Sequence, residues 1–223
     1  MVNGVIFDMD GLMFDSERLA CVFWQRAGHE IGEDFQMDFL NSFRGKNPKT
    51  VQEAFLKKYG PEFEFERCRD LKTKIQYDYI KKKGIPIKKG LLELLDYLKG
   101  HGIYKAVATS TGKKMADMML RRAGIYTYFD AFVYGDMIQR SKPAPDIFLK
   151  ASEEIHVPIE ECLVLEDSIA GVKAGKLAGG YIIHIPDMIV VPEEVKRGIT
   201  AQMDSLDEVI GWLEQINAGK REI

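Results

Sequence analysis

The chain opens with a short apolar run, Val5-Ile6-Phe7, that stops at Asp8-Met9-Asp10-Gly11. A hydrophobic run of this length predicts a buried strand, and alternation along it points Asp8 and Asp10 the same way at its end. Asp15-Ser16-Glu17 then offers cap and first-turn residues for a helix predicted to about Ala27. From there to about Lys83, apolar residues recur at helical spacing with no strand between them, as in Phe35 to Met37, Phe55-Leu56, Leu71 and Ile75 to Ile80. That stretch predicts an all-α insert. Beyond it the pattern alternates. Helices are predicted from Gly90 to Leu98, Lys113 to Ala123, Pro145 to Glu154, Ile169 to Ala178 and Leu206 to Ile216. Strands are predicted from Tyr104 to Ala108, Ala131 to Tyr134, Cys162 to Leu165 and Tyr181 to Ile185. Such alternation means βαβ crossovers and a parallel sheet, with ligands beyond the carboxyl ends of the strands.

Composition adds exclusions. At 223 residues the chain can bury a sizeable core, and 46% hydrophobic with 29% charged residues is ordinary for a globular protein. Its 31 basic residues are offset by 34 acidic ones, so no electrostatic case exists for a nucleic-acid partner. Cys21, Cys68 and Cys162 are scattered and lack metal-type spacing, as expected for reduced core thiols of a cytoplasmic protein. Neither a secretory signal nor an apolar stretch of about 18 residues is visible, so no membrane partner is expected.

Chemistry-bearing residues collect at the predicted strand ends. Two carboxylates one residue apart, Asp8 and Asp10, are costly unless a cation holds them, and an oxygen-rich site suits magnesium. After the Tyr104 strand comes Thr109-Ser110-Thr111-Gly112, hydroxyls and N–H groups at a helix start. Lys142 sits between Ser141 and Pro143 with a restricted backbone, and the Cys162 strand ends in Glu166-Asp167-Ser168. Carboxylates, hydroxyls, a lysine and carboxylates together match a magnesium-bound phosphoryl group.

At these residues the sequence resembles the haloacid dehalogenase-like phosphatases, whose four signature segments match Asp8-Met9-Asp10-Gly11, Thr109, Lys142-Pro143 and Glu166-Asp167. FDMDGLMFDSERL, VATSTG, SKPAPDIFL and LEDSIAG look most like the β-phosphoglucomutase-like and pseudouridine-5′-phosphatase-like branch. The resemblance implies an α/β fold: a Rossmann-like parallel-sheet core (1–15 and 84–223) with an inserted all-α cap (16–83). It further implies a Mg²⁺-dependent phosphatase acting on a small phosphorylated metabolite, a sugar or nucleoside monophosphate, through an aspartyl-phosphate. Asp8 is then the nucleophile and Asp10 the acid and base. Thr109, Ser110 and Lys142 bind the phosphoryl oxygens. Asp8, the Asp10 backbone carbonyl and Asp167 hold the metal, with Glu166 as ligand or behind one. The cap is expected to close over two connectors, Met13 to Ser16 and Lys83 to Ile87, and to read substrate through Arg44 and Lys46. Trp24 is a weaker candidate, more often core than contact. A monomer is expected.

Other functions fit the same residues less well. A sugar phosphomutase is the nearest, but mutases of this branch carry a cap histidine where ungapped alignment places Ala20. A phospho-acceptor receiver module would be half this length and would lack the DxDG followed by an insert. A silent binding protein is disfavoured because every position the chemistry needs is filled, and a dehalogenase because Asp10 is the extra acid of phosphoryl-transfer members. Gly171 to Lys176 has the wrong spacing for a nucleotide phosphate loop. His29, His101, His156 and His184 read as structural or solvated.

Overall fold

Strand β1 (Gly4–Phe7) lies inside a parallel sheet with β2 (Tyr104–Thr109), β3 (Ala131–Tyr134), β4 (Cys162–Glu166), β5 (Tyr181–His184) and β6 (Ala201–Gln202). The order is β3-β2-β1-β4-β5-β6, and the computed structural model describes residues 1–43, 48–187 and 192–219. From β1 the chain builds β2 and β3 to one side, then crosses to β4, β5 and β6 on the other. The order therefore reverses between β1 and β4, where an open α/β sheet leaves a crevice at its carboxyl edge.

Strand alternation decides what faces that crevice. Val5, Phe7, Val107, Leu163 and Leu165 pack on one face, under α5 (Leu91–Gly100), α6 (Lys113–Arg122) and α10 (Glu208–Ala218). Ile6, Ala106, Ala108, Cys162 and Val164 pack on the other, under α7 (Asp146–Glu154) and α8 (Ile169–Ala178). Continuing the period of two puts Asp8 and Glu166 on the α7–α8 side and Thr109 on the opposite side. The remaining helix of the core, α9 (Glu193–Lys196), covers Val172 and Ile182 through Val195.

Between β1 and α5 the described residues form four helices, α1 (Ser16–Glu30), α2 (Met37–Asn41), α3 (Pro48–Tyr59) and α4 (Phe65–Lys83). They enclose a separate aromatic core in which Phe55 and Phe65 pack on Trp24 and Phe35 packs on Phe55. The all-α insert on a parallel-sheet core is thus present. The two connectors pair with each other: Asp15 N donates to Pro86 O at 3.0 Å, Lys88 N to Met13 O at 2.9 Å, and Phe14 bridges Ile87 antiparallel. Gly84, with φ 79°, ends α4 just before this ribbon in a conformation that L side chains avoid.

Boundaries differ from expectation in places. Helix α1 runs a turn past Ala27, because Gly28 packs against the Phe35 ring where a Cβ would crowd it. Close packing there outweighs glycine's poor helix propensity. Helix α10 starts at Glu208 rather than Leu206, and the two-residue β6 was not anticipated because two residues carry no period. Among the described residues, no helix is long and apolar enough to cross a membrane.

Candidate active site

Asp8 follows β1 directly, and its N–H extends the ladder to β4 by donating to Leu165 O at 3.0 Å. The alternation that places Asp8 and Glu166 on one side brings both to Lys142, in the loop ahead of α7. Lys142 Nζ donates to Asp8 Oδ1 at 2.5 Å, Glu166 Oε1 at 2.6 Å and Ala108 O at 3.3 Å. All three ammonium hydrogens are used, and the group lies buried over the Phe148 ring. Burial alone would lower the Lys142 pKa, yet the facing carboxylates of Asp8 and Glu166 more than offset that and hold the lysine above its ordinary value.

Glu166 is fully enclosed. Its Oε2 accepts from Ser168 N at 2.9 Å and Ser168 Oγ at 3.0 Å, while Ser168 Oγ caps α8 by accepting from Gly171 N at 3.0 Å. A Cβ at position 171 would overlap the Glu166 carboxylate, so glycine is required there. Glu166 therefore spends both oxygens on Lys142 and the start of α8.

Asp167 completes an acidic group: Asp8, Glu166 and Asp167 each offer a carboxylate oxygen within 4.8 Å of the others. Burial raises the Asp167 pKa well above normal, reinforced by Glu166 and Asp8, and Asp167 Oδ1 is buried with no hydrogen-bond partner. Burial likewise pushes Asp8 up to about 8, with Lys142 pulling the other way. Three buried carboxyl groups face one ammonium, more acid than that lysine can neutralise. A hard divalent cation with oxygen ligands suits that donor set. Gly11, with φ 86°, passes so close to Asp167 that a side chain would strike its carboxylate.

Asp10 belongs to a different neighbourhood. Its Oδ2 accepts from Thr111 Oγ1 at 2.7 Å and from Thr109 Oγ1 at 3.4 Å, and Thr109 Oγ1 accepts in turn from Thr111 N at 3.0 Å. Its side chain is not in the acidic group with Asp8. Thr109 is buried and Ser110 exposed at the same strand end. Trp24 is 8% exposed inside the cap's aromatic core. Arg44 and Lys46 lie outside the described residues.

Two further groups bear on the site, Thr111, which was not singled out from sequence, and His184, which was read there as structural or solvated. Thr111 was visible in the TSTG cluster, but nothing distinguished it from Ser110. His184, at the end of β5, is buried and donates from Nε2 to the Asp167 carbonyl at 3.1 Å, fixing the backbone beneath the acidic group. Its neighbours in the sheet, not its neighbours in sequence, give it that place.

Comparison with known proteins points to one family. Residues 5–185 match the family described as haloacid dehalogenase-like hydrolase. A phosphorylated carbohydrates phosphatase of Thermotoga maritima is 32% identical over 182 residues, covering 80% of this chain and 82% of the relative. The β-phosphoglucomutase of Bacillus subtilis is 29% identical over 190 residues, covering 82% and 83%. The crystal structure of CbbY from Rhodobacter sphaeroides in complex with phosphate superposes with TM-score 0.82 at 26% identity, covering 94% of this chain and 96% of that one.

Proposed function

The chain belongs to the haloacid dehalogenase-like hydrolase family as a phosphatase, and from that premise we propose that it hydrolyses a small sugar or nucleoside monophosphate through a phosphoryl group carried on Asp8. The observation that carries the reading is the Asp8, Glu166, Asp167 and Lys142 cluster, whose excess negative charge is matched by a metal and a phosphoryl group. Asp8, Asp167 and the Asp10 backbone carbonyl would hold Mg²⁺, which when bound neutralises charge on the phosphoryl oxygens.

Asp8 attacks phosphorus while the bond to the leaving oxygen breaks, and Asp10 donates its proton to that oxygen. Asp10 then takes a proton from water, water attacks the phosphorus on Asp8, and phosphate leaves as the Asp8 carboxylate is regenerated. Lys142 and Thr109, with Ser110, neutralise and orient the phosphoryl oxygens; Glu166 aims Lys142. The insert 16–83 acts as a cap that closes on the core (1–15 and 84–223) about the paired connectors and excludes water from the first step. Arg44 and Lys46 are proposed contacts of that cap.

Hydrolysis is favoured over isomerisation because Asp10 is held by threonines of the core, and the methyl of Ala20 on α1 cannot hydrogen-bond to it. The experiment is a screen of inorganic phosphate release over phosphorylated metabolites with magnesium present. Turnover of several monophosphates supports the assignment, and an inert enzyme across the panel removes it.

A further inference from the structure

The carbonyls at the end of β4 turn alternately to its two neighbours. Leu165 O accepts from Asp8 N at 3.0 Å on the β1 side, and Glu166 O accepts from Ile185 N at 2.8 Å on the β5 side. Asp167 lies one residue past the strand, buried, with a carbonyl that still needs a donor. That donor comes from a side chain. His184 stands opposite Glu166 in the parallel register, and its Nε2 donates to Asp167 O at 3.1 Å. The imidazole is 1% exposed in a run of buried isoleucines, Ile182, Ile183 and Ile185. With Nε2 as the donor, Nδ1 of the neutral ring is an acceptor, and it is buried with no partner among the described residues. An apolar side chain would fill the same space without that penalty. Asp167 is thus constrained at both ends, its carbonyl by His184 and its carboxylate by the close approach of Gly11, while its Oδ1 has no hydrogen-bond partner.

We propose that His184 is a positioning residue for the divalent cation: its N–H fixes the Asp167 peptide, so that the Asp167 carboxylate is already set for a metal before one binds. The role rests on the metal-site reading above. A ligand whose backbone is held in place loses less freedom on binding, and affinity rises by that difference. His184 touches neither substrate nor the reacting atoms, so its effect falls on metal affinity first. The unpartnered Nδ1 is the cost of placing an N–H donor at this point of a sheet whose other residues there are aliphatic.

The test adds magnesium chloride to the EDTA-stripped full chain at constant ionic strength and follows Tm, comparing wild type with His184→Gln, His184→Asn and His184→Leu. Glutamine can place an amide N–H where Nε2 lies, asparagine places one nearer Nδ1, and leucine has none. The magnesium dissociation constant, drawn from the dependence of Tm on magnesium, should rise about 10- to 100-fold in His184→Leu and His184→Asn and less than about threefold in His184→Gln. At saturating magnesium, kcat on any accepted monophosphate should fall less than about threefold in the same variants. The glutamine and asparagine pair decides the matter even if the leucine variant does not fold. An unchanged magnesium constant in His184→Asn, or equal losses in His184→Asn and His184→Gln, would overturn the positioning role while leaving the phosphatase reading standing. A wild type whose Tm does not respond to magnesium would instead remove the metal site and this role with it.

Discussion

The hydroxyl of Thr111 donates to Asp10 Oδ2 at 2.7 Å, so the second acid of the DxD pair is held by the core rather than by the cap. Thr111→Val removes that donor while keeping the shape of the side chain. With Asp10 as proposed acid and base, kcat should fall about tenfold with KM little changed, the size of one hydrogen bond to a charged group. Steady-state kinetics on any accepted monophosphate measures it, and an unchanged kcat would argue that Asp10 is oriented some other way.

Metal and pH should act together on stability. Burial raises the folded pKa of Asp8 from 3.8 to about 8 and raises Asp167 too. A carboxyl with a raised folded pKa binds its proton more tightly folded than unfolded, so metal-free protein should lose stability as pH rises from roughly 4 to about 8. Magnesium competes with those protons. Its stabilising effect, read as the Tm difference between magnesium and EDTA, should therefore be larger at the alkaline end of that window than at the acid end. An effect larger at the acid end would contradict the cluster as the metal site.

Lys142 is the sole cation bonded to Asp8 and Glu166 among the described residues. Lys142→Met should abolish turnover and cost about 3 kcal/mol in denaturant unfolding, because it strands a buried carboxylate pair. Glu166→Gln in the same protein should return part of that stability without restoring activity. Additive losses in the double variant would mean that the two residues do not act as a pair.

Much of this arrangement is legible in the sequence. β1, β4 and α8 have continuous apolar runs or a 3.6-residue period bounded by caps and glycines, so local pattern and tertiary packing agree. Asp8, Lys142, Glu166 and Asp167 stood out because carboxylates and a lysine at strand ends are expensive without a purpose. Thr111 did not. A threonine among hydroxyls carries no such cost in sequence, and only the pairing of β2 beside β1 singles it out. His184 is similar, since its role depends on the register of β5 against β4.

Ala20 is the proposed point of difference between hydrolysis and isomerisation. Given β-glucose 1-phosphate with a catalytic amount of the bisphosphate, the wild type should release phosphate faster than it forms glucose 6-phosphate. Ala20→His would supply a hydrogen-bonding group on α1 and should shift that ratio towards the isomer. Glucose 6-phosphate outpacing phosphate in the wild type would make the chain a mutase.

The most direct measurement is covalent. Given a donor whose leaving group needs no proton, such as acetyl phosphate, Asp10→Asn can still accept a phosphoryl group on Asp8 but lacks the base that activates water, so acid quenching should trap protein heavier by one phosphoryl group, mapped by peptide mass to Asp8. Asp8→Asn should show neither the adduct nor turnover. An Asp8→Asn protein that still hydrolyses monophosphates, or an adduct mapping elsewhere, would contradict Asp8 as the nucleophile.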